Sequence, residues 1–461
     1  MSGSVWLPPG ARPDTMPGIP RQRTPGWAQP DPIDELAVRL DDFVAAAVHP
    51  DEIAALLESD GMSDDQIRER YGLKNSFALA EELYERVERR YPEPEGPAHD
   101  PWQVGLLGCL LRGVVFALPG LGYVLGAPLM AGPRDLGLPA GTVPLLAGAL
   151  VGWTWNQGLA HRAYSWLGLG DRAAAKRSLL LGAPAGVVLG ALIAFLVAST
   201  GDMTGVAFAA GQSLYLGAST VLLVLGRERA LLPALLPMAA GAGLGLVHTP
   251  STALRLVLLL GSLLAVVVLA LLELRDKPQR TRGRQPAMGP RLVSSLPYAL
   301  FGLGTGVLVL YAALGNALTA VALTLSMGPA EWLLHRFRSG SLAGLRNTST
   351  ARAFWRTTAT TLVECLTLYL VTLVVLGLAM SALSPGLLVL GVVLWTGLLL
   401  QSFGAILSAT AVCCAAALAQ TLALLTHTGT PPWVALTVHG TAAAAQAALV
   451  CALLGRATAH R

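Results

Sequence analysis

Residues 145–170 read LLAGALVGWTWNQGLAHRAYSWLGLG, residues 171–178 read DRAAAKRS, and residues 179–197 read LLLGAPAGVVLGALIAFLV. Two apolar segments, each long enough to cross about 30 Å of hydrocarbon, flank a short basic connection. A membrane hairpin explains the pattern, and the basic connection points to the inner side of the bilayer. The whole chain has the matching composition. Its 461 residues are 53% hydrophobic and 13% charged, with a mean hydropathy of +0.57, whereas a soluble protein carries about 25% charged residues.

Apolar runs succeed one another from Trp102 onward. They divide into twelve spans, at about 102–130, 140–168, 177–199, 203–225, 229–248, 253–273, 292–312, 314–335, 356–380, 384–407, 409–427 and 432–454. The boundary near 408 is the least marked. With the N-terminus inside, Arg172, Lys176, Arg177, Arg227, Arg229, the run from Arg275 to Arg291, the arginines from Arg336 to Arg356, and Arg456 and Arg461 all fall on the inner side. Only Arg134 and Arg255 fall at outer edges. The expected location is therefore the cell membrane (the bacterial inner membrane), multi-pass, with both termini cytoplasmic. The basic loop 275–291 divides the membrane part into two six-helix bundles, 102–274 and 292–455, before a short tail at 456–461. Weak echoes support a repeat: Gln212-Ser213 with Gln401-Ser402, and His161-Arg162 with His335-Arg336.

The first 101 residues differ in kind, holding 10 basic and 20 acidic residues against 22 and 8 in the remainder. Residues 1–30 are Pro-rich and read as a disordered tail without the apolar core of a signal peptide. Residues 31–91 read as a cytoplasmic acidic module of four short helices. These begin at Asp31-Pro32, after His49-Pro50, at the Ser63–Gln66 capping box and at Asn75. Residues 92–101 form a Pro/acid linker. The acidity of the module opposes phosphate backbones, so no nucleic-acid partner is expected; a cytoplasmic protein partner fits its charge better. The fold class expected is all-α: a polytopic membrane protein of about twelve helices in two halves, with this small N-terminal module.

Chemistry is sparse. The five cysteines lie in apolar runs without metal or redox spacing, and no metallopeptidase, Walker A, hydrolase or CxxC motif occurs, so neither a metal, a cofactor nor an enzyme activity is expected. Gly182, Gly186 and Gly190 form a small-residue stripe for helix packing. Arg112, about ten residues into the first span, is costly near the bilayer middle and needs an acidic partner, a wet cavity or an anionic substrate. Pro119-Gly120 supplies a hinge in the same helix. Glu364 and Glu331 are candidates to pair with Arg112 or to take a proton or cation. Asn156, Gln212 and Gln401 add polarity in both halves, as walls of a polar cavity.

The run Gly168-Leu-Gly-Asp-Arg-Ala-Ala-Ala-Lys-Arg177, together with the end of the fourth span at Leu225-Gly-Arg-Glu-Arg229, resembles the inner loops of the multidrug/oligosaccharidyl-lipid/polysaccharide (MOP) exporter superfamily. The resemblance covers about 102–455. Residues 31–90 and Ser326-Met-Gly-Pro-Ala-Glu-Trp332 are similar to features of actinobacterial membrane proteins and imply no activity. The superfamily resemblance implies an alternating-access exporter or flippase for an anionic amphipathic substrate, a lipid-linked saccharide or polysaccharide precursor. It also places Arg112 against the substrate's pyrophosphate. Two other functions remain open from the residues: a non-transporting scaffold whose module recruits a cytoplasmic partner, and a MATE-like small-molecule exporter using cavity carboxylates.

Overall fold

The computed structural model describes residues 31–90, 105–130, 139, 141–199, 203–245, 247–275, 289–348 and 350–454. The first 30 residues, the linker 92–101, nearly all of the basic loop 275–291 and the tail 456–461 lie outside the described residues. The chain divides into two compact units, Met1–His99 and Asp100–Arg461.

In the first unit the caps anticipated from sequence each start a helix. Asp31 accepts from the Ile33 N–H to open α1 (Pro32–Arg39), and His49 does the same for α3 (Pro50–Ser59). Ser63 and Gln66 form a reciprocal capping box on α4 (Asp64–Tyr71), and Asn75 caps α5 (Ser76–Arg86). The first expected helix is in fact two. Leu40, at φ −104° and ψ 12°, leaves the helical region and starts α2 (Asp41–Ala46). The break lets Leu36 and Val44 both turn inward onto Ile53, Leu57, Ile67, Leu79 and Leu83. Arg86 pairs with Asp31, Asp34 and Glu82 at 2.9, 2.7 and 2.9 Å. The Ile33 N–H, and after it the Arg86 guanidinium, hold the Asp31 carboxyl below its ordinary pKa.

The second unit contains twelve helices among its described residues: α6 (Leu106–Gly126), α7 (Thr142–Gly168), α8 (Arg172–Val197), α9 (Met203–Val224), α10 (Leu231–Leu244), α11 (Thr252–Arg275), α12 (Leu296–Gly315), α13 (Ala317–Asn347), α14 (Ala351–Ala379), α15 (Pro385–Ser402), α16 (Ile406–Leu425) and α17 (Pro431–Leu454). Ten helical stretches here are long and apolar enough to cross a membrane. The other two helices are α7, which carries Asn156, Gln157, His161 and Arg162, and α10, which has 14 residues and a Pro237 inside it.

Several boundaries move for identifiable reasons. Helix α8 begins at Arg172, so Lys176 is helical and buried, donating to the Glu273 carbonyl. Helix α13 runs past the expected end near 335 to Asn347, because Phe337, Ser341 and Gly344 are buried. Gly340 and Gly344 lie against Thr361 and Thr357 of α14. The weakly marked boundary near 408 falls at Phe403–Ala405, where Gly404 takes φ +81°.

Helix packing repeats along the chain. In α6–α11, α7 packs on α8 and α9, α8 on α9, α9 on α11, and α10 on α11 and α6. In α12–α17, α13 packs on α14 and α15, α14 on α15, α15 on α17, and α16 on α17 and α12, and here α12 also meets α13 and α15 meets α16, contacts without a counterpart of that extent in the first set. Between the two sets, α6 meets α13 and α7 meets α12. Each cross-contact joins the first helix of one set to the second of the other. Inside the first set the glycine stripe of α8 works as expected: Gly182 and Gly186 lie under Leu159 and Trp155 of α7, and Gly190 lies under Ser213 of α9. The Trp155 Nε1–H donates to the Gly182 carbonyl at 2.7 Å.

A charged cluster where the two repeats meet

Helices α6 and α13 cross almost backbone to backbone. A Cβ on Gly113 would lie 2.9 Å from the Gly328 nitrogen, and one on Gly328 would lie 2.5 Å from the Cys109 carbonyl oxygen. Only hydrogen fits at these two places, and the fit sets the register. Arg112 precedes Gly113 and Glu331 follows Gly328 by one turn, so the crossing lays the guanidinium against the carboxylate.

Arg112 Nη1 donates to Glu331 Oε1, and Nη2 donates to Glu228 Oε1 at 2.6 Å. Glu228 comes from the short 3-10 turn Glu228–Ala230 between α9 and α10. His335 Nε2 lies 3.8 Å from the same Glu331 oxygen, one helical turn along α13. The four side chains are 27–32% exposed. Glu228 belongs to the α9–α10 connection, which also carries Arg227 and Arg229. That changes the placement of Arg112: helix α6 begins at Leu106, and the guanidinium stands level with the α9–α10 turn rather than at mid-helix depth. With His335 neutral the cluster carries one positive and two negative charges. It is already over-neutralised, so an anion approaching Arg112 has two carboxylates to displace.

The second crossing, α7 against α12, holds no ion pair among the described residues. Gly158 lies against Ala299, and Gly302 against Gln157. The His161 ring stacks on Tyr298 at 3.7 Å between centroids, and its Nδ1 is 3.1 Å from the Ser295 hydroxyl. Arg162 Nη1 donates to the Pro290 carbonyl at 3.1 Å.

Of the residues singled out from sequence, Arg112 and Glu331 meet. Glu364 is exposed on α14, on the face that also exposes Leu368, Val371 and Val375, and it forms no ion pair among the described residues. Asn156 is buried in α7, its Nδ2 donating to the Gly152 carbonyl while Oδ1 has no partner among the described residues. Gln212 Oε1 in mid-α9 is likewise buried without a partner there. Gln401 lies in the last turn of α15. The Gln212/Gln401 echo therefore joins positions at different heights of their helices, whereas His161 and His335 stand at nearly the same distance from the starts of α7 and α13. Pro119 lies inside an unbroken α6, and Gly120 beside it has open space around it.

Sequence reading missed Glu228 and the two glycines at the crossing. A signal for Glu228 was available: an acid between two arginines in an otherwise basic connection, in a section with only eight acidic residues. Glycines 113 and 328 have no comparable signal, since neither stands in a repeated small-residue stripe. No protein-family model matches the chain, and no curated protein matches it.

Proposed function

We propose that this chain is a multi-pass transporter of the cell membrane, with twelve spans and both termini cytoplasmic, whose two six-helix sets rock against each other to move an amphipathic substrate. The observation that carries this reading is the packing scheme, in which the two sets meet, among the described residues, chiefly through the reciprocal pairs α6·α13 and α7·α12. Two similar bodies joined by a narrow pair of crossings are suited to exposing a site alternately to either side. On this reading α7 and α10 also cross the bilayer. Their polarity and short length are supported by neighbouring helices that satisfy backbone and side-chain groups.

The resemblance to the MOP exporters makes a lipid-linked saccharide the first substrate class to test. On this reading Arg112, paired with Glu331 and Glu228, serves as a tie between the two helix sets. The test uses the full-length protein in liposomes containing a short-chain polyprenyl-pyrophosphate glycan with a nitrobenzoxadiazole label. Dithionite quenching reads how much label reaches the outer leaflet. Protein-dependent loss of the protected fraction is the expected result. If the labelled lipid stays put while deletion of residues 1–100 alone produces a cellular defect, the protein is a scaffold. If a small organic cation moves instead, and Glu364→Gln stops it while Arg112→Ala does not, the MATE-like reading replaces this one.

Orientation is checked with single cysteines in a Cys-free background. Ala173→Cys should resist, and Thr430→Cys should accept, an impermeant maleimide added outside intact cells. The scaffold reading draws on one observation of its own: the first unit encloses its own core yet leaves Val38, Phe43, Val48 and Phe77 exposed among its acidic residues.

A further inference from the structure

Helices α13 and α14 are longer than a bilayer needs. With 31 and 29 residues they measure about 46 and 43 Å, against about 30 Å of hydrocarbon. Asn347 ends α13 and Ala351 starts α14, so both surpluses fall at the same end, as a paired stalk about 13–16 Å long. The two arms are in register: Gly340 lies against Thr361, and Gly344 against Thr357. The glycines let the arms approach closely, and the same register puts Arg346 of α13 level with Trp355 of α14.

The charge of this stalk has one sign. From Trp332 to Val363 the sequence holds Arg336, Arg338, Arg346, Arg352 and Arg356 and no acid, while Glu331 and Glu364 bound the stretch. Arg336 lies over the Trp332 ring, and Arg338 donates to the Ser402 carbonyl. Arg346, Arg352 and Arg356 are instead exposed and make no ion pair among the described residues. Trp355, 47% exposed, stands between two of them on α14.

Depth decides what such a surface meets. The exposed large aliphatic side chains of α14 run from Leu378 to Val363 and then stop. Nearer the turn the exposed residues include Thr360, Arg356, Trp355 and Arg352. Counted from Ala379, Arg356 and Trp355 lie about 35–36 Å along α14 and Arg352 about 41 Å; counted from Ala317, Arg346 lies about 44 Å along α13. All four therefore stand about 5–14 Å beyond the hydrocarbon, in or next to a headgroup layer about 5–8 Å deep. Long flexible arginine side chains bridge the remaining distance. Tryptophan favours this depth, and guanidinium groups hold phosphate through paired hydrogen bonds.

We propose that the tip of the α13·α14 hairpin binds the phosphate of an anionic inner-leaflet phospholipid. Arg346, Arg352 and Arg356 are the phosphate ligands, and Trp355 packs in the headgroup layer beside them. The inference rests on the membrane orientation proposed above and adds a lipid that the bundle holds rather than moves.

The experiment titrates delipidated full-length protein in detergent with dioleoylphosphatidylglycerol and, separately, with dioleoylphosphatidylcholine, and reads bound lipid by native mass spectrometry. Phosphatidylglycerol should bind at least about tenfold more tightly. Arg346→Gln, Arg352→Gln and Arg356→Gln combined should lose most of that preference. The matching lysine variant should keep part of it, since it retains the charge but not the paired hydrogen bonds. All three positions are exposed, so both variants should elute as the wild type does. A second triple, Arg172→Gln, Arg177→Gln and Arg229→Gln, removes the same charge from other basic connections and should leave the preference intact. Equal loss in the two glutamine triples, or no preference in the wild type, overturns the site. Displacement of the bound lipid by millimolar inorganic phosphate overturns the lipid assignment in favour of a soluble anion. Because binding is read in detergent, failure here leaves the transporter reading intact. Labelling of Ala173→Cys from outside intact cells would overturn the orientation, and with it the inner leaflet, but not a measured lipid preference.

Discussion

The two crossings between the helix sets both use glycines but differ in what lies beside them. At α6·α13 the helices touch through Gly113 and Gly328, and a guanidinium shared by two carboxylates lies beside the contact. At α7·α12 the approach is looser, side chain on glycine, and the neighbouring contact is His161 stacked on Tyr298. A stacked neutral pair loses little when it slides or is wetted. A shared ion pair is held by a long-range force whose strength depends on who else is charged nearby. The first contact should therefore respond to salt and the second should not.

The largest expected break in this comparison is steric. Gly328→Leu drives a side chain into the Cys109 backbone, which cannot yield as a flexible side chain does, and the variant should fail to elute as a monodisperse peak in detergent. Gly302→Leu meets the movable Gln157 side chain instead and should fold, at an overpacking cost of about 1–3 kcal/mol. Equal behaviour of the two would erase the distinction between a backbone crossing and a side-chain one.

Next comes the ion pair itself. A double-mutant cycle of Arg112→Ala and Glu331→Ala, read as shifts in thermal stability, should give a coupling of about 1–3 kcal/mol. That lies between the surface value and the cost of breaking a fully buried pair, since these groups are about 30% exposed. The coupling should shrink as salt is raised.

The same cycle with His161→Ala and Tyr298→Ala should give about 0.5–1.5 kcal/mol and be indifferent to salt. A salt-sensitive result there would mean that the second crossing is also electrostatic.

The smallest effect is expected at Arg86, which shares the arrangement of Arg112, one guanidinium among several carboxylates, but sits at the surface of the first unit. The Asp31 carboxyl is held below its ordinary value, so its contribution is complete above the unfolded value of about 3.9 and fades as pH falls through the folded one. Hydrogen-exchange protection of the α1 amides in the full-length protein should therefore drop on acidification, and Asp31→Asn should flatten that dependence. A strong effect at neutral pH and high salt would show that exposure does not separate the two arginine clusters.

Much of the local structure was readable from single segments. The caps at Asp31, Ser63 and Asn75, the turn ending in Asp171 and the groove of Gly182, Gly186 and Gly190 are all short-range features. Each is fixed by a hydrogen bond or a small side chain within a few residues or on the adjacent helix. The site was readable only in part. A cation in an apolar helix announces that it needs a counter-charge, and this identified Arg112 and named Glu331 among its candidates. The same reasoning ranked Glu364 beside it, although that residue lies on an exposed face of α14. The Gln212/Gln401 echo was misleading because similarity over a few residues says nothing about depth along a helix.

By itself, the sequence determined that most of the chain is apolar helix, roughly where most of the helices start and stop, though not the end of α13, and which connections are basic. Those properties depend on each segment's own backbone hydrogen bonding and its own partition between water and hydrocarbon. Only the tertiary structure decided that Arg112 meets Glu331, 219 residues away, and Glu228, 116 residues away. Partner choice there follows from how closely two helices approach, and that approach is set by two isolated glycines whose role appears only once the helices are side by side.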